Sequence, residues 1–247
     1  RAFAMVAVLY KLRNPKMKIQ LRDYFSIRPE WEEIKRILHI GVPSGIENGM
    51  FQFGKLAIQS TVSLMGTAAI AAQGMTNIIE NLNGIMSIGM GIGLMTVVGE
   101  CLGAGEKEEA VYYIKKLCVI AEVTLAISCL IFYLLVRPIT YFGGMEPASA
   151  KMCIYMVTWI SIVKPLVWIM AFIPPYGFRA AGDVKFTMTT SMLCKWLCRV
   201  VLAMVLARDF HMGPIAVWIG MFADWGIRGF IFSWRFLSGK WLQKKVI

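Results

Sequence analysis

The chain has 247 residues, 57% of them hydrophobic and 17% charged, with a formal net charge of +11. Soluble domains hold about 45–50% apolar residues, and the mean hydropathy here is +0.61, so the composition excludes an ordinary water-soluble fold. The cations gather in alternate connectors and not on one face, which points to loops lying against anionic lipid and away from nucleic acid.

Ala2 to Tyr10 reads as the end of an apolar helix. Residues 1–12 are therefore expected to close a preceding transmembrane helix of a longer protein. Residues 13–36 read as a cytoplasmic linker. Within it, Arg28-Pro29-Glu30-Trp31 looks like a helix start, with proline at the first helical position and acids in the first turn. Glu32 and Glu33 precede Lys35 and Arg36 by three or four residues, a supportive spacing. A short interfacial helix anchored by Trp31 and running into the first full span is expected.

Six long apolar stretches follow, at 37–65, 67–101, 111–136, 147–178, 184–207 and 214–237. About 20 mostly apolar residues cross the hydrocarbon core as a helix. Leu117 to Val136 meets that length with a single charge, Glu122, expected near a helix end. Inside lipid every backbone N–H and C=O must be paired within the segment, so these stretches must be helices. Residues 37–238 are expected to form an all-α, six-helix membrane bundle, and residues 239–247 a cytoplasmic tail.

Lysine and arginine fix the orientation. Seventeen lie in the 11–36, 103–116 and 179–185 connectors and the C-terminal tail, against three (Arg137, Lys151 and Arg208) on the other side. By the positive-inside rule the basic connectors and the C-terminus are cytoplasmic.

Two kinds of packing signal stand inside the spans. Gly41, Gly45 and Gly49 recur every fourth residue, as do Gly89 and Gly93, and Gly99 and Gly103. This spacing predicts a smooth face for close helix approach. Pro43 in the first span, and Pro165, Pro174 and Pro175 in the fourth, each remove a helical hydrogen bond and predict kinks. Pro214 sits at a helix start.

Ionisable residues in a membrane are costly, about 2.5–3.5 kcal/mol each on insertion scales, and mark functional candidates. Asp224 and Arg228, at i and i+4, read as a structural ion pair. Lys195 and Arg199 are one turn apart and need acidic or carbonyl partners, an anionic substrate, or room to reach water. Glu47 and Asn48 follow Pro43 by about a turn, and Gln52, Lys55 and Gln59 continue a polar stripe. The second span presents Gln73, Asn77, Glu80, Gly84 and Ser87 on one face. Two polar stripes with two carboxylates and a lysine read as a wet cavity. A carboxylate there can load a cation or proton on one side of the membrane and release it on the other. Met50, Phe51, Met75, Met86, Met90, Trp168, Met170 and Phe172 are candidates for an adaptable pocket wall, or for packing surface.

Gly41–Gln59 (GVPSGIENGMFQFGKLAIQ), Gly66–Ala72 (GTAAIAA), Val97–Gly105 (VVGECLGAG), Arg179–Met188 (RAAGDVKFTM) and the Val217–Trp241 segment occur in this order across six spans. In that arrangement the chain resembles the C-terminal half of a MATE (multidrug and toxic compound extrusion) transporter. The resemblance implies a six-helix lobe of a twelve-helix fold of the MOP superfamily, in a multi-pass inner (plasma) membrane protein. It implies secondary active efflux of cationic or amphipathic compounds in antiport with Na⁺ or H⁺. The partners would be small organic cations, the bilayer and an amino-terminal lobe absent from this sequence; no cofactor beyond the coupling ion is implied. Glu47, Asn48, Gln52, Lys55, Gln59, Asn77, Glu80 and Lys164 are the candidates for transport and cation coupling. Some members pair a carboxylate in the first helix of this lobe with an acid in the fourth. Here the fourth span carries Lys164 and no acid between Lys151 and Arg179.

The alternative within the same superfold is a lipid-linked oligosaccharide flippase, for which Lys55, Lys164, Lys195 and Arg199 would serve a diphosphate. An ATP-driven pump is disfavoured by the lack of a GxxxxGK[ST] loop. A membrane enzyme is disfavoured because the only histidines, His39 and His211, fall at opposite faces of this topology. The six cysteines have no CxxC pairing and read as small buried side chains.

Overall fold

The structure, a computed structural model, describes Tyr10, residues 30–210 and residues 212–243; at 33, 36, 39, 40, 43, 44, 47 and 243 it describes the backbone only. The expected end of a preceding helix and most of the linker lie outside the described residues. Two compact units are formed, Arg1–Val42 and Pro43–Ile247. In the first, the described part is the beginning of helix α1, Trp31–Ser63, where Ile34 N–H donates to the Glu30 carbonyl at 3.0 Å. Trp31 is exposed. The helix thus starts six residues before the expected span and takes in the lead-in helix without a break.

The second unit is built from the rest of α1 and α2 Thr67–Gly103, α3 Lys107–Phe142, α4 Pro147–Phe172, α5 Pro174–Ala180, α6 Val184–Cys194, a π-helical segment Lys195–Val201, α7 Leu202–Arg208, α8 Ile215–Leu237 and a 3₁₀ turn Lys240–Gln243. No strand occurs among the described residues. Among the described residues, five spans are long and apolar enough to cross a membrane: Thr67–Gly103, Lys107–Phe142, Pro147–Ala180, Val184–Arg208 and Ile215–Leu237. α1, of 33 residues, is the most polar of the long helices.

Local chemistry explains the boundaries. α3 begins at Lys107, four residues earlier than expected, with Glu108 and Glu109 in its first turn, where the helix dipole favours acids. Glu122 therefore lies well inside α3 and not near an end, correcting the expectation. Pro147 opens α4 at a position that needs no N–H partner. The fourth span breaks at Ile173, just before Pro174 and Pro175, whereas Pro165 is carried inside α4. The chain turns back after α2 through Gly105, whose φ of +83° favours glycine.

α2 packs on α3 and α4, α4 on α8, α5 back on α2, and the π segment and α7 on α8. Leu94, Ile114, Leu125, Val157, Trp218 and Phe232 are among the buried residues that fill the centre. The glycine repeats do not serve this packing. Space within 4 Å is open at Gly41, Gly45, Gly49, Gly89, Gly93, Gly99 and Gly103. The close approaches are made at other glycines: Gly91 against Tyr176, Gly177 against Ile114, Gly220 against the π segment, and Gly229 against the α4 backbone. A four-residue period marks a smooth face but does not say which neighbour, if any, lies upon it.

At the end where α5 turns into α6, Asp183 accepts two hydrogen bonds from Arg235, at 3.0 and 2.7 Å. Trp241 is fully buried there, stacked on Phe236 with centroids 6.0 Å apart and tilted against Phe178 at 5.6 Å. The C-terminal turn is thus folded against the bundle and is not a free tail up to Leu242.

Candidate functional site: an intramembrane cavity

A cavity of about 600 Å³ opens between α1 and the bundle. α1 contributes Phe51, Gln52, Lys55 and Gln59; α2 contributes Gln73, Asn77, Glu80, Asn81 and Gly84. These are the two polar stripes, and they face one another because α1 touches the bundle at its waist. There Gly54 fits against Val200 of the π segment, and a methyl group at Gly54 would sit 3.2 Å from Val200 Cγ2. Ile58 and Val62 are buried one and two turns further on. The far wall is aromatic: Trp168 and Phe172 of α4 stack at 4.4 Å, and Phe172 meets Trp225 of α8 edge-on at 6.4 Å.

Beneath this wall is a buried cation. Lys164 is fully buried, and its Nζ donates to Glu80 Oε1 at 2.9 Å and to the Glu80 carbonyl at 3.1 Å. The ammonium also lies 5.2 Å from the Trp168 ring. Gly84 leaves the room it needs, since a methyl group there would come 3.5 Å from Nζ. The cation that takes the place of an acid in the fourth span is thus partnered by the carboxylate of the second.

Asp224 and Arg228 form a buried ion pair at 3.0 Å, and the Arg228 guanidinium lies 4.3 Å from the Phe172 ring, behind the aromatic wall. Gln73 is buried; its Oε1 accepts from Trp218 Nε1 at 3.0 Å, tying α2 to α8. Ser87 faces away, against the α3 backbone at Ala121.

Three cations converge on one ring. Lys55 Nζ is 4.7 Å, Lys195 Nζ 4.6 Å and Arg199 Cζ 5.2 Å from the centroid of Phe51. The sequence shows the like charges of Lys195 and Arg199 one turn apart but not the ring from another helix that receives them. Nor does it show that Lys195–Val201 winds as a π-helix, a form common at functional sites.

Of the eight transport candidates, Gln52, Lys55, Gln59, Asn77 and Glu80 line the cavity, and Lys164 reaches it through Glu80. Asn48 is exposed and does not line it. Glu47 is on α1, with its side chain outside the described residues. Met86 and Met170 are exposed, and Met75 packs near Gly143, so the methionine wall is not formed from these. Arg199, Met221 and Trp225 complete the lining. Trp225 and Met221 were legible only as apolar positions of the last span.

The MatE family model matches residues 43–205, a stretch that takes in α1 from Pro43, the cavity's α2 wall, α4 and the π segment. The chain belongs to the MatE family. A probable multidrug resistance protein NorM of Thermotoga maritima is 27% identical over 234 residues, 92% of this chain and 50% of that protein. The chain thus spans about half the length of the curated relatives it matches. Among solved structures, an outward-facing multidrug resistance MATE transporter of the MOP superfamily superposes with a TM-score of 0.85 at 16% identity, covering 99% of this chain and 55% of that one. An inward-facing one gives 0.73 at 17% identity, covering 100% and 57%. At such identity the solved structures establish the fold, a MatE-type helical lobe in the membrane.

Proposed function

We propose that the full-length protein is a secondary active exporter of small amphipathic organic compounds, organic cations among them, working in antiport with Na⁺ or H⁺. In this reading the lobe supplies one wall of a central cavity and rocks as a body between two orientations. It works in the inner membrane with its C-terminus in the cytoplasm, opposite an amino-terminal lobe. The observation that carries the proposal is the cavity: a stacked aromatic wall facing two polar helices, inside a bundle with a largely apolar core.

The geometry also supports a coupling role for the Glu80–Lys164 pair. A cation or proton arriving at Glu80 competes with the Lys164 ammonium for the carboxylate, so ion binding and pair opening are linked. Glu47, on the helix opposite, is the second coupling candidate.

The test is efflux from proteoliposomes containing the full-length protein, driven by imposed Na⁺ or H⁺ gradients, with planar fluorescent dyes as substrates. Movement of a dye with one gradient, abolished when that gradient is collapsed, is expected. Glu47→Gln should reduce coupled export at normal expression; undiminished export would remove Glu47 from the mechanism. The cations on the wall favour a second reading, a lipid-linked oligosaccharide flippase. Failure of every dye together with binding of lipid diphosphates would favour it.

A further inference from the structure

Resting on the export reading, we propose that this cavity selects, among amphipathic compounds, flat uncharged aromatics bearing amide, hydroxyl or similar neutral groups, ahead of organic cations and anions. The rings of its wall already carry the protein's own cations. Phe51 holds Lys55, Lys195 and Arg199; Trp168 holds Lys164 at 5.2 Å, and Phe172 holds Arg228 at 4.3 Å. An aromatic face attracts a cation through its quadrupole. A face with a fixed cation upon it instead meets an arriving cation with like charge. Phe172 also has Trp168 stacked against it at 4.4 Å. What these rings still offer is apolar contact at their edges, which an uncharged aromatic uses in edge-to-face packing.

The charges are closed among themselves as well. Glu80 is held by Lys164 at 2.9 Å and Asp224 by Arg228 at 3.0 Å. The same two carboxylates act on the Phe51 cluster, Glu80 on Lys55 and Arg199, and Asp224 on Arg199 and Lys195. Lys195 is engaged in its own right. Among the described residues, a ligand of either charge therefore has to part an ion pair of the protein before it meets a counter-charge, and a buried charge left alone is costly. Glu47, one turn before Phe51 on α1, has its side chain outside the described residues.

Neutral hydrogen-bonding groups are what the lining keeps in reserve. Gln73 is spent on Trp218 Nε1, and Asn81 donates to the Asn77 carbonyl. Gln52 and Gln59 of α1 and Asn77 of α2 keep their side-chain amides for a ligand between them. Each amide both donates and accepts, so the three match amides and hydroxyls without taking up charge. The cavity, of about 600 Å³, has the size that encloses a molecule of several fused rings.

Anthracene-9-carboxamide, 9-(aminomethyl)anthracene and anthracene-9-carboxylate give one ring system in neutral, positive and negative form, with 9-methylanthracene as the apolar reference. Binding to the purified full-length protein is read by energy transfer from tryptophan, since Trp168 and Trp225 line the cavity. The carboxamide should bind about tenfold more tightly than either charged compound. Gln52→Leu and Asn77→Leu should each weaken the carboxamide about fivefold more than 9-methylanthracene. Gln52 is exposed, so its variant is expected to fold even where Asn77→Leu does not. Lys164→Met releases Glu80 and uncovers Trp168, and should raise the affinity of the ammonium compound about tenfold without doing so for the carboxylate.

Tightest binding of the ammonium or of the carboxylate overturns the proposal, as does equal binding of all three. So does a carboxamide no more sensitive than 9-methylanthracene to Gln52→Leu. An ammonium preference abolished by Glu47→Gln would overturn it by assigning the free carboxylate to α1. A folded Lys164→Met protein that gains nothing for the ammonium overturns the closure of charge on which the selectivity stands. Binding of the carboxamide without gradient-driven movement keeps the selectivity and removes the export reading. Gradient-driven movement of the ammonium alone keeps export and overturns the selectivity.

Discussion

Replacing Glu80 with glutamine tests how a charge is tolerated at the centre of this lobe. Lys164 has no solvent contact, while the Glu80 side chain is 16% exposed, toward the cavity. A glutamine oxygen can still accept from Nζ, and the main-chain carbonyl bond at 3.1 Å is untouched. What disappears is the opposite charge at 2.9 Å. The gross attraction there is about 6 kcal/mol at an effective dielectric constant of ~20. Most of it is offset by desolvation, so the net loss should be the excess of a charge-assisted over a neutral bond, about 1–2 kcal/mol. Glu80→Ala removes the acceptor too and should cost about 3–5 kcal/mol, the usual result of stranding a buried charge. Lys164→Met should be milder than Glu80→Ala, because the carboxylate left behind can hydrate from the cavity. Adding Lys164→Met to Glu80→Gln should therefore recover much of the loss. Thermal unfolding of the full-length protein in detergent, followed by tryptophan fluorescence, reads the series as shifts in melting temperature. A double variant that loses the sum of the two single losses would refute the coupling, as would a Glu80→Gln protein melting at the wild-type temperature.

Three other outcomes are expected in the same assay. Gln73→Leu strands the buried Trp218 Nε1 and should cost about 1–3 kcal/mol. Gly220→Ala should cost about 1–3 kcal/mol, because its methyl would meet Ala203 Cβ and two main-chain carbonyls at 3.1–3.2 Å; Gly226→Ala, which meets open space, should be neutral or slightly stabilising. Trp241→Ala removes a fully buried ring from between Phe178 and Phe236 and should cost about 3–5 kcal/mol; a wild-type melting temperature would show that the tail does not brace the bundle.

Much of the architecture is legible because lipid enforces it. A segment such as Leu117–Val136 has no choice but to be a helix, and prolines 174 and 175 place the break at Ile173 to within a residue. The polar stripes are legible for the same reason: Gln52, Lys55, Gln59, Asn77 and Glu80 are conspicuous against an apolar background, and they meet at the cavity. What periodicity does not carry is partnership between distant segments. Lys164 and Glu80 are 84 residues apart, and Gln73 and Trp218 are 145 apart; each is read alone as an isolated polar residue. The glycine repeats fail in the opposite way. They mark faces accurately, but the tight contacts fall at Gly177, Gly220 and Gly229, which stand outside those repeats. The π winding at 195–201 has no composition that distinguishes it from the α-helix on either side.

The seat of Gly54 on Val200 joins two mechanical elements. Val200 belongs to the segment that carries one extra residue per hydrogen-bonded turn. Restoring ordinary helical winding there would rotate that side chain about the axis and withdraw the fulcrum on which α1 leans. The width of the chamber is thereby geared to the winding of a neighbouring rod, and an insertion or deletion of a single residue between 195 and 201 would turn the gear and carry the lining residue Arg199 with it.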